Sequence, residues 1–452
     1  MVFHILGVVI ILLVSASPSG RADPAPVQYS AINCRKHTAV LTDFGAVGDG
    51  KTLNTKAFET AVANLSQFAA DGGAQLIVPA GKWLTGSFNL TSHFTLFLHK
   101  DAVILGSQNM EDWPLVAPLP SFGTAADGST GARHASLLFG ANLTDVVITG
   151  NNGTIDGQGA KWWDDFKNKK LKDARPFLVE IQSTDQLQIS NVTFTNSPMW
   201  NVHPVYCSNV VIQGVTILAP VEVPNTDGIN PDSCTNIRIE DCYIASGDDC
   251  IAVKSGIDQY GIKVGKPTKQ LAIRRSAVVA LGSEMSGGIQ DVRIEDVTAI
   301  NCQSGIRIKT AVGRGGYVKD IFARRMTMSG MEKVFWMSGA YKSHADGGFD
   351  PNALPVVHNI NYRDVVAQNV TVSAILDGLE KAHFTGICIS NVTLNLGPAA
   401  RELQWNCTNV SGTTSRVTPK PCDELPEKAG DCPFPEDKLP IDDVVLKSCS
   451  TA

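Results

Sequence analysis

A short pattern recurs along much of this chain: alternating apolar residues, a polar pair, then a second apolar run. It appears as Leu187-Gln-Ile-Ser-Asn-Val-Thr-Phe, Val211-Ile-Gln-Gly-Val-Thr-Ile and Ile237-Arg-Ile-Glu-Asp-Cys-Tyr-Ile. It returns as Val292-Arg-Ile-Glu-Asp-Val-Thr-Ala, Ile360-Asn-Tyr-Arg-Asp-Val-Val-Ala and Ile387-Cys-Ile-Ser-Asn-Val-Thr-Leu. The residue before the polar pair falls at 189, 212, 239, 294, 362 and 389, giving gaps of 23, 27, 55, 68 and 27. Most are one or two multiples of about 25, and a weaker copy around Ala323 divides the 68. Strand-like runs joined by a bend at this spacing predict a right-handed parallel β-helix, all-β and single-stranded, whose inward Val, Ile and Leu stack from coil to coil. Propeller blades need about 40 residues each, and a sandwich needs frequent hairpin turns such as Asn-Gly. Neither fits the spacing. The bend residues Asn191 and Asn391 read as turn or ladder residues.

An open solenoid end must be covered. Residues 57–65, with apolar positions at 57, 58, 61, 62 and 65, predict a short amphipathic helix that caps the N-terminal end.

Residues 5–14 form an apolar run followed by small residues, the layout of a secretory leader and too short to span a bilayer. The expected organisation is a leader over 1–22, a β-helix over 23–400 and a cysteine-rich tail over 401–452. Nine Asn-X-Ser/Thr sequons and 11 cysteines suit an oxidising, extracellular setting. Cys407, Cys422, Cys432 and Cys449 crowd the tail, so disulfides are expected there, and the odd total leaves at least one thiol unpaired. Zinc is disfavoured, because there are no Cys-X2-Cys pairs with His partners. A formal charge of −6 offers no global attraction for nucleic acid. After leader removal, no second apolar run is long enough for a membrane.

Two acidic motifs stand out, Asn225-Thr226-Asp227-Gly228 and Gly247-Asp248-Asp249-Cys250. Either alone is ordinary turn chemistry. The interval from Asp227 to Asp248 is slightly less than one repeat, so a solenoid sets them side by side with Asp249. Three clustered carboxylates repel, and at least one pKa must rise. Glycoside hydrolysis can use that arrangement, with one protonated carboxyl and one ionised. Downstream, Arg307 and Lys309 alternate with isoleucines in Gly305-Ile306-Arg307-Ile308-Lys309. From Lys254 to Arg325 there are 13 Lys/Arg against six Asp/Glu, a basic zone suited to a polyanionic sugar.

These motifs, with Gly282-Ser-Glu-Met-Ser-Gly-Gly between them, resemble glycoside hydrolase family 28, the polygalacturonases, and the Ser283-Glu-Met-Ser-Gly-Gly phrase resembles the plant branch. The resemblance runs from about Thr42 to about Leu396. It implies an inverting hydrolase needing no cofactor or metal, acting as a monomer on polygalacturonate. By position, Asp248 would be the general acid, and Asp227 with Asp249 would hold and activate the water. Asn225 would orient the cluster, and Arg307 and Lys309 would bind the uronate carboxylate.

Two departures matter. The family's Gly-His-Gly reads Ser276-Ala277-Val278 here, without the histidine. The interval from Ile273 to Ile294 is the shortest between copies of the repeat, and the resemblance implies about nine more residues in relatives between Arg275 and Ser276. A shortened coil next to the aspartates would also account for the odd cysteine count. Two alternatives share these features: a Ca²⁺-dependent pectate lyase using the aspartates as ligands, and a wall-binding protein that has lost catalysis.

Overall fold

The computed structural model describes residues 35–123, 132–341, 343–444 and 446, so the expected leader lies outside the described residues. The chain winds as a right-handed parallel β-helix with three strand faces per coil. The first face stacks Asp185–Ser190, Ser208–Gln213, Thr235–Glu240, Thr268–Arg274 and Ile289–Ile300 in parallel register. It continues through Tyr317–Ser338, Val356–Asp377, Phe384–Leu396 and Val410–Thr418.

The sequence repeat is the inward row of this face. Ile189, Ile212, Ile239, Ile273, Ile294, Ala323, Tyr362 and Ile389 pair one to the next, each nearly or fully buried. A residue in left-handed conformation ends each first-face run and turns the corner, at Asn191, Gly214, Asp241, Arg275, Asp296, Arg325, Asp364 and Asn391, the last four within strands that continue round the bend. Asn and Asp tolerate that conformation because their side chains bond locally. Arg275 and Arg325 do not share that tolerance, but each corner arginine is ion-paired to the corner acid one coil earlier: Arg275 to Asp241 at 2.6 Å and Arg325 to Asp296 at 2.7 Å. The Asn391 amide likewise donates to Asp364 at 2.6 Å.

The N-terminal cap is a helix over Thr55–Ser66 that buries Phe58, Ala61, Val62 and Leu65, with Phe58 stacked on Phe88 at 4.4 Å. At the other end the stack passes residue 400. Trp405–Thr408 pairs with the strand Val356–Asp377, and Val410–Thr418 with Phe384–Leu396, so the tail proper begins after Thr418. Cys407–Cys422 closes a loop there, and Cys388–Cys432 ties the tail to the solenoid. The tail then lies along the first face, where Arg238 donates to the Ile441 carbonyl at 2.8 Å and Arg293 to that of Asp437 at 2.6 Å. Among the described residues Cys207, Cys234, Cys242, Cys250 and Cys302 remain thiols.

One coil is irregular. The chain passes from corner to third face between Asp241 and Ile251 in one coil, and between Asp296 and Ile306 two coils later. The coil in between covers the same ground from Arg275 to Val279, with less than half the chain. First and third faces pair through this coil without interruption. The second face does not. Its six-stranded sheet ends at Tyr243–Ala245, and residues 297–300 pair only with the following coil. The deficit is therefore one strand, with Tyr243 and Ile300 on its two sides left 64% and 67% exposed.

Candidate active site

The third face carries the acidic motifs. Backbone bridges from Val202 to Ile229 and from Ile229 to Ile251 align successive coils here, which sets Asp227 level with Asp249 and adjacent to Asp248. The Gly228 amide donates to the Asp249 carbonyl at 3.0 Å. Gly228 is required at this crossing, because a Cβ there would lie 2.4 Å from the Cys250 carbonyl oxygen. A similar squeeze occurs at Gly282, at φ +91°, where a Cβ would lie 2.2 Å from the Lys309 carbonyl oxygen. Glycines thus let the backbone close up around the carboxylates, and their motif positions follow from that.

The three aspartates sit in different surroundings. Asp227 is buried, accepts a hydrogen bond from the Asn230 amide at 2.9 Å, and lies 3.6 Å from the Lys254 ammonium. Burial pushes its carboxyl up to about 7; Lys254 opposes the rise, and Asp248 and Asp249 add to it. Asp249 is also desolvated, but the Lys309 ammonium bonded to it outweighs burial and holds it below the usual carboxylate range. Asp248 is the exposed member, accepting from the Asn225 and Asp249 backbone amides at 3.1 and 2.9 Å. The trio therefore offers one carboxyl protonated near neutrality, one ionised and one facing solvent.

Other expected site residues take more specific parts. Asn225 reaches Asp248 through its backbone N–H; its side-chain Oδ1 instead accepts from Arg175 at 2.8 Å. Lys309 is buried and committed to Asp249. Arg307, 3.8 Å from Asp249, stacks on the Trp336 ring at 3.9 Å and keeps one face toward the cleft. The expected basic zone is largely neutralised. Arg274, Arg324 and Arg325 converge on Glu295, Arg275 pairs with Glu240 and Asp241, and Arg314 is buried against Asp258. Neighbouring coils bring acids to these arginines across the stack, which a count along the chain does not see.

Two residues without an assigned part in the sequence belong here. Lys254 bonds Glu284 at 2.8 Å and lies 4.3 Å from the Trp200 ring centroid. Glu284 is held down to about 2, since Lys254 and Lys309 overcome its burial. Together with the aspartates these groups line a cavity of about 150 Å³. The signals were present: Lys254 directly follows the strand Ile251–Val253, just after Gly247-Asp-Asp, and Glu284 sits in the Ser283-Glu-Met-Ser phrase. Nothing in their spacing revealed that they touch.

The pattern described as "Glycosyl hydrolases family 28" matches residues 73–418. A "Probable polygalacturonase" of Vitis vinifera is 62% identical over 98% of this chain and 93% of its own length. Among solved structures, an exopolygalacturonase from Thermotoga maritima superposes with a TM-score of 0.72 at 26% identity, over 87% of this chain and 93% of that one. A polygalacturonase from Erwinia carotovora gives a TM-score of 0.66 at 24% identity over 84% of this chain and 98% of that one, a likeness of fold.

Proposed function

Since the chain belongs to the glycosyl hydrolases family 28, we propose that it is a polygalacturonase that hydrolyses α-1,4-galacturonosyl linkages with inversion at the anomeric carbon. The observation that carries this reading is the division of labour among Asp227, Asp248 and Asp249. Asp248, exposed toward the cleft, donates a proton to the leaving glycosidic oxygen. Asp249, ionised beside Lys309, takes the proton of the attacking water. Asp227, protonated over the acidic range, holds that water from the preceding coil. Arg307 supplies the cation for the uronate carboxylate.

A calcium-dependent elimination is less well supported. The aspartate oxygens do not converge on one point: among the described residues the one set of three candidate ligand atoms within 4.8 Å is Cys407, Cys422 and Glu424, with both cysteines in a disulfide. Lys254 and Lys309 also stand among the aspartates, where they would repel a divalent ion.

Secretion to the cell wall, and a role there in remodelling pectin, follow from the leader-like N-terminus and from the two disulfides, which suit an oxidising compartment. The deciding experiment is reducing-end release from polygalacturonate with NMR detection of the first-formed anomer. Inverted product supports the reading. An unsaturated, ultraviolet-absorbing product that disappears with chelator would replace it by a lyase, and binding without any product would leave a wall-binding protein.

A further inference from the structure

The short passage from Arg275 to the third face at Val279 leaves a notch beside the aspartates, between the connections that enter the third face in the neighbouring coils. The notch measures about 540 Å³, within the ~300–1,000 Å³ of pockets that enclose small ligands. One lip carries Ser246 and the exposed Val221, the other Asn301, Gln303 and Ser304, and Val278 lies in the floor. The coils on either side each run a longer stretch between corner and third face, so the space exists because this coil lacks it. It opens onto Asp248, Asp249 and Arg307 and is therefore continuous with the cleft that would hold the polysaccharide backbone.

We infer that this notch is a subsite for a neutral glycosyl branch on the galacturonan backbone, which lets the protein accept branched substrate. The inference rests on the proposed hydrolysis and deepens it. Chemistry sets the ligand class. The lips offer hydroxyls and amides, which bond sugar hydroxyls, and Val221 and Val278 offer apolar surface for a ring face. Arg307 is the one cation among the described residues that line it, and it is already placed between Asp249 and Trp336. An acidic branch would be repelled by the carboxylates of Asp248 and Asp249. A neutral pentose or hexose would not.

The test compares a linear oligogalacturonide with one of equal length bearing a single xylosyl branch. The readouts are kcat/KM in the wild type and Kd in Asp248→Asn protein, where the ligand stays uncut. The branched ligand should be bound and cut at least as well as the linear one. Gln303→Trp and Val221→Trp, which fill the notch from opposite lips, should each lower the branched-to-linear ratio by about tenfold or more. Wild-type discrimination of about tenfold against the branch, or Trp variants that change both ligands equally, would overturn the subsite. If neither oligomer is cut, the hydrolase reading falls, and the ratio of dissociation constants still decides the notch.

Discussion

The ammonium of Lys254 stands between two carboxylates, 2.8 Å from Glu284 and 3.6 Å from Asp227, with all three side chains nearly buried. One cation thus balances an acid from its own coil's neighbour and an acid of the catalytic group. Removing one partner of a buried ion pair costs about 3–5 kcal/mol, so Lys254→Met should lower the melting temperature markedly near pH 7. The sign with pH follows from Glu284. Its folded pKa, about 2, lies below its ordinary 4.5, so the stability it contributes is present above 4.5 and fades as pH falls toward 2. The gap in melting temperature between wild type and variant should therefore narrow on acidification. A gap that stays constant from pH 7 to pH 3 would place the stabilisation elsewhere.

Asp227 should behave in the opposite way. Its folded pKa of about 7 exceeds the ordinary 3.8, so it favours the fold below 3.8 and progressively loses that advantage up to about pH 7. Asp227→Asn keeps the shape and cannot ionise. Relative to wild type, its melting temperature should rise between pH 4 and pH 7 even as hydrolysis is lost. A difference that does not change with pH would mean Asp227 titrates normally.

Asp248→Asn should remove hydrolysis while leaving the melting temperature and polygalacturonate binding close to wild type. Loss of a general acid costs roughly 10²–10⁴-fold in rate. A loss under about threefold would take the acid role from Asp248.

Arg307 and Lys309 should separate kinetically. Arg307→Ala should mainly raise KM, with the penalty shrinking as salt screens the uronate charge. Lys309→Met should mainly lower kcat and move the acidic limb of the pH–rate profile upward, because Asp249 loses the cation that keeps it ionised. Identical changes in both variants would show that the two cations act as one binding patch.

Inserting between Arg275 and Ser276 a stretch that restores the length of the neighbouring coils should raise the melting temperature. It would pair the open edges at Tyr243–Ala245 and at residues 297–300 and offer a partner to the Ser276 hydroxyl, which is buried without one. A gain of a few degrees is expected. No gain would show that the short coil is fully accommodated.

The inward rows were legible because burial repeats the same apolar demand at every coil, which is why Ile189, Ile212 and Ile239 could be aligned by counting. The same count placed Asp227 beside Asp248, and the register sets it level with the next residue, Asp249. What could not be read was lateral. Glu284 meets Lys254, and Glu295 gathers three arginines, through contacts between coils whose lengths are irregular, so no fixed offset links the partners. Asn225 was legible as a site residue but not as a backbone donor, since its part depends on a left-handed φ of 61° that composition does not reveal.

The left-handed corners described above have a consequence for how such a chain can change its length. They act as index marks: each restarts the alternation for the next face, whatever happened before it. Segments can then be gained or lost just after a mark without shifting the phase of any later strand. The coil without a second-face strand shortens immediately beyond Arg275, one of these marks, and the register resumes intact at Val279. A lineage could therefore reshape the wall of its cleft one coil at a time, as tiles are swapped in a row, with every other residue still facing the way it did.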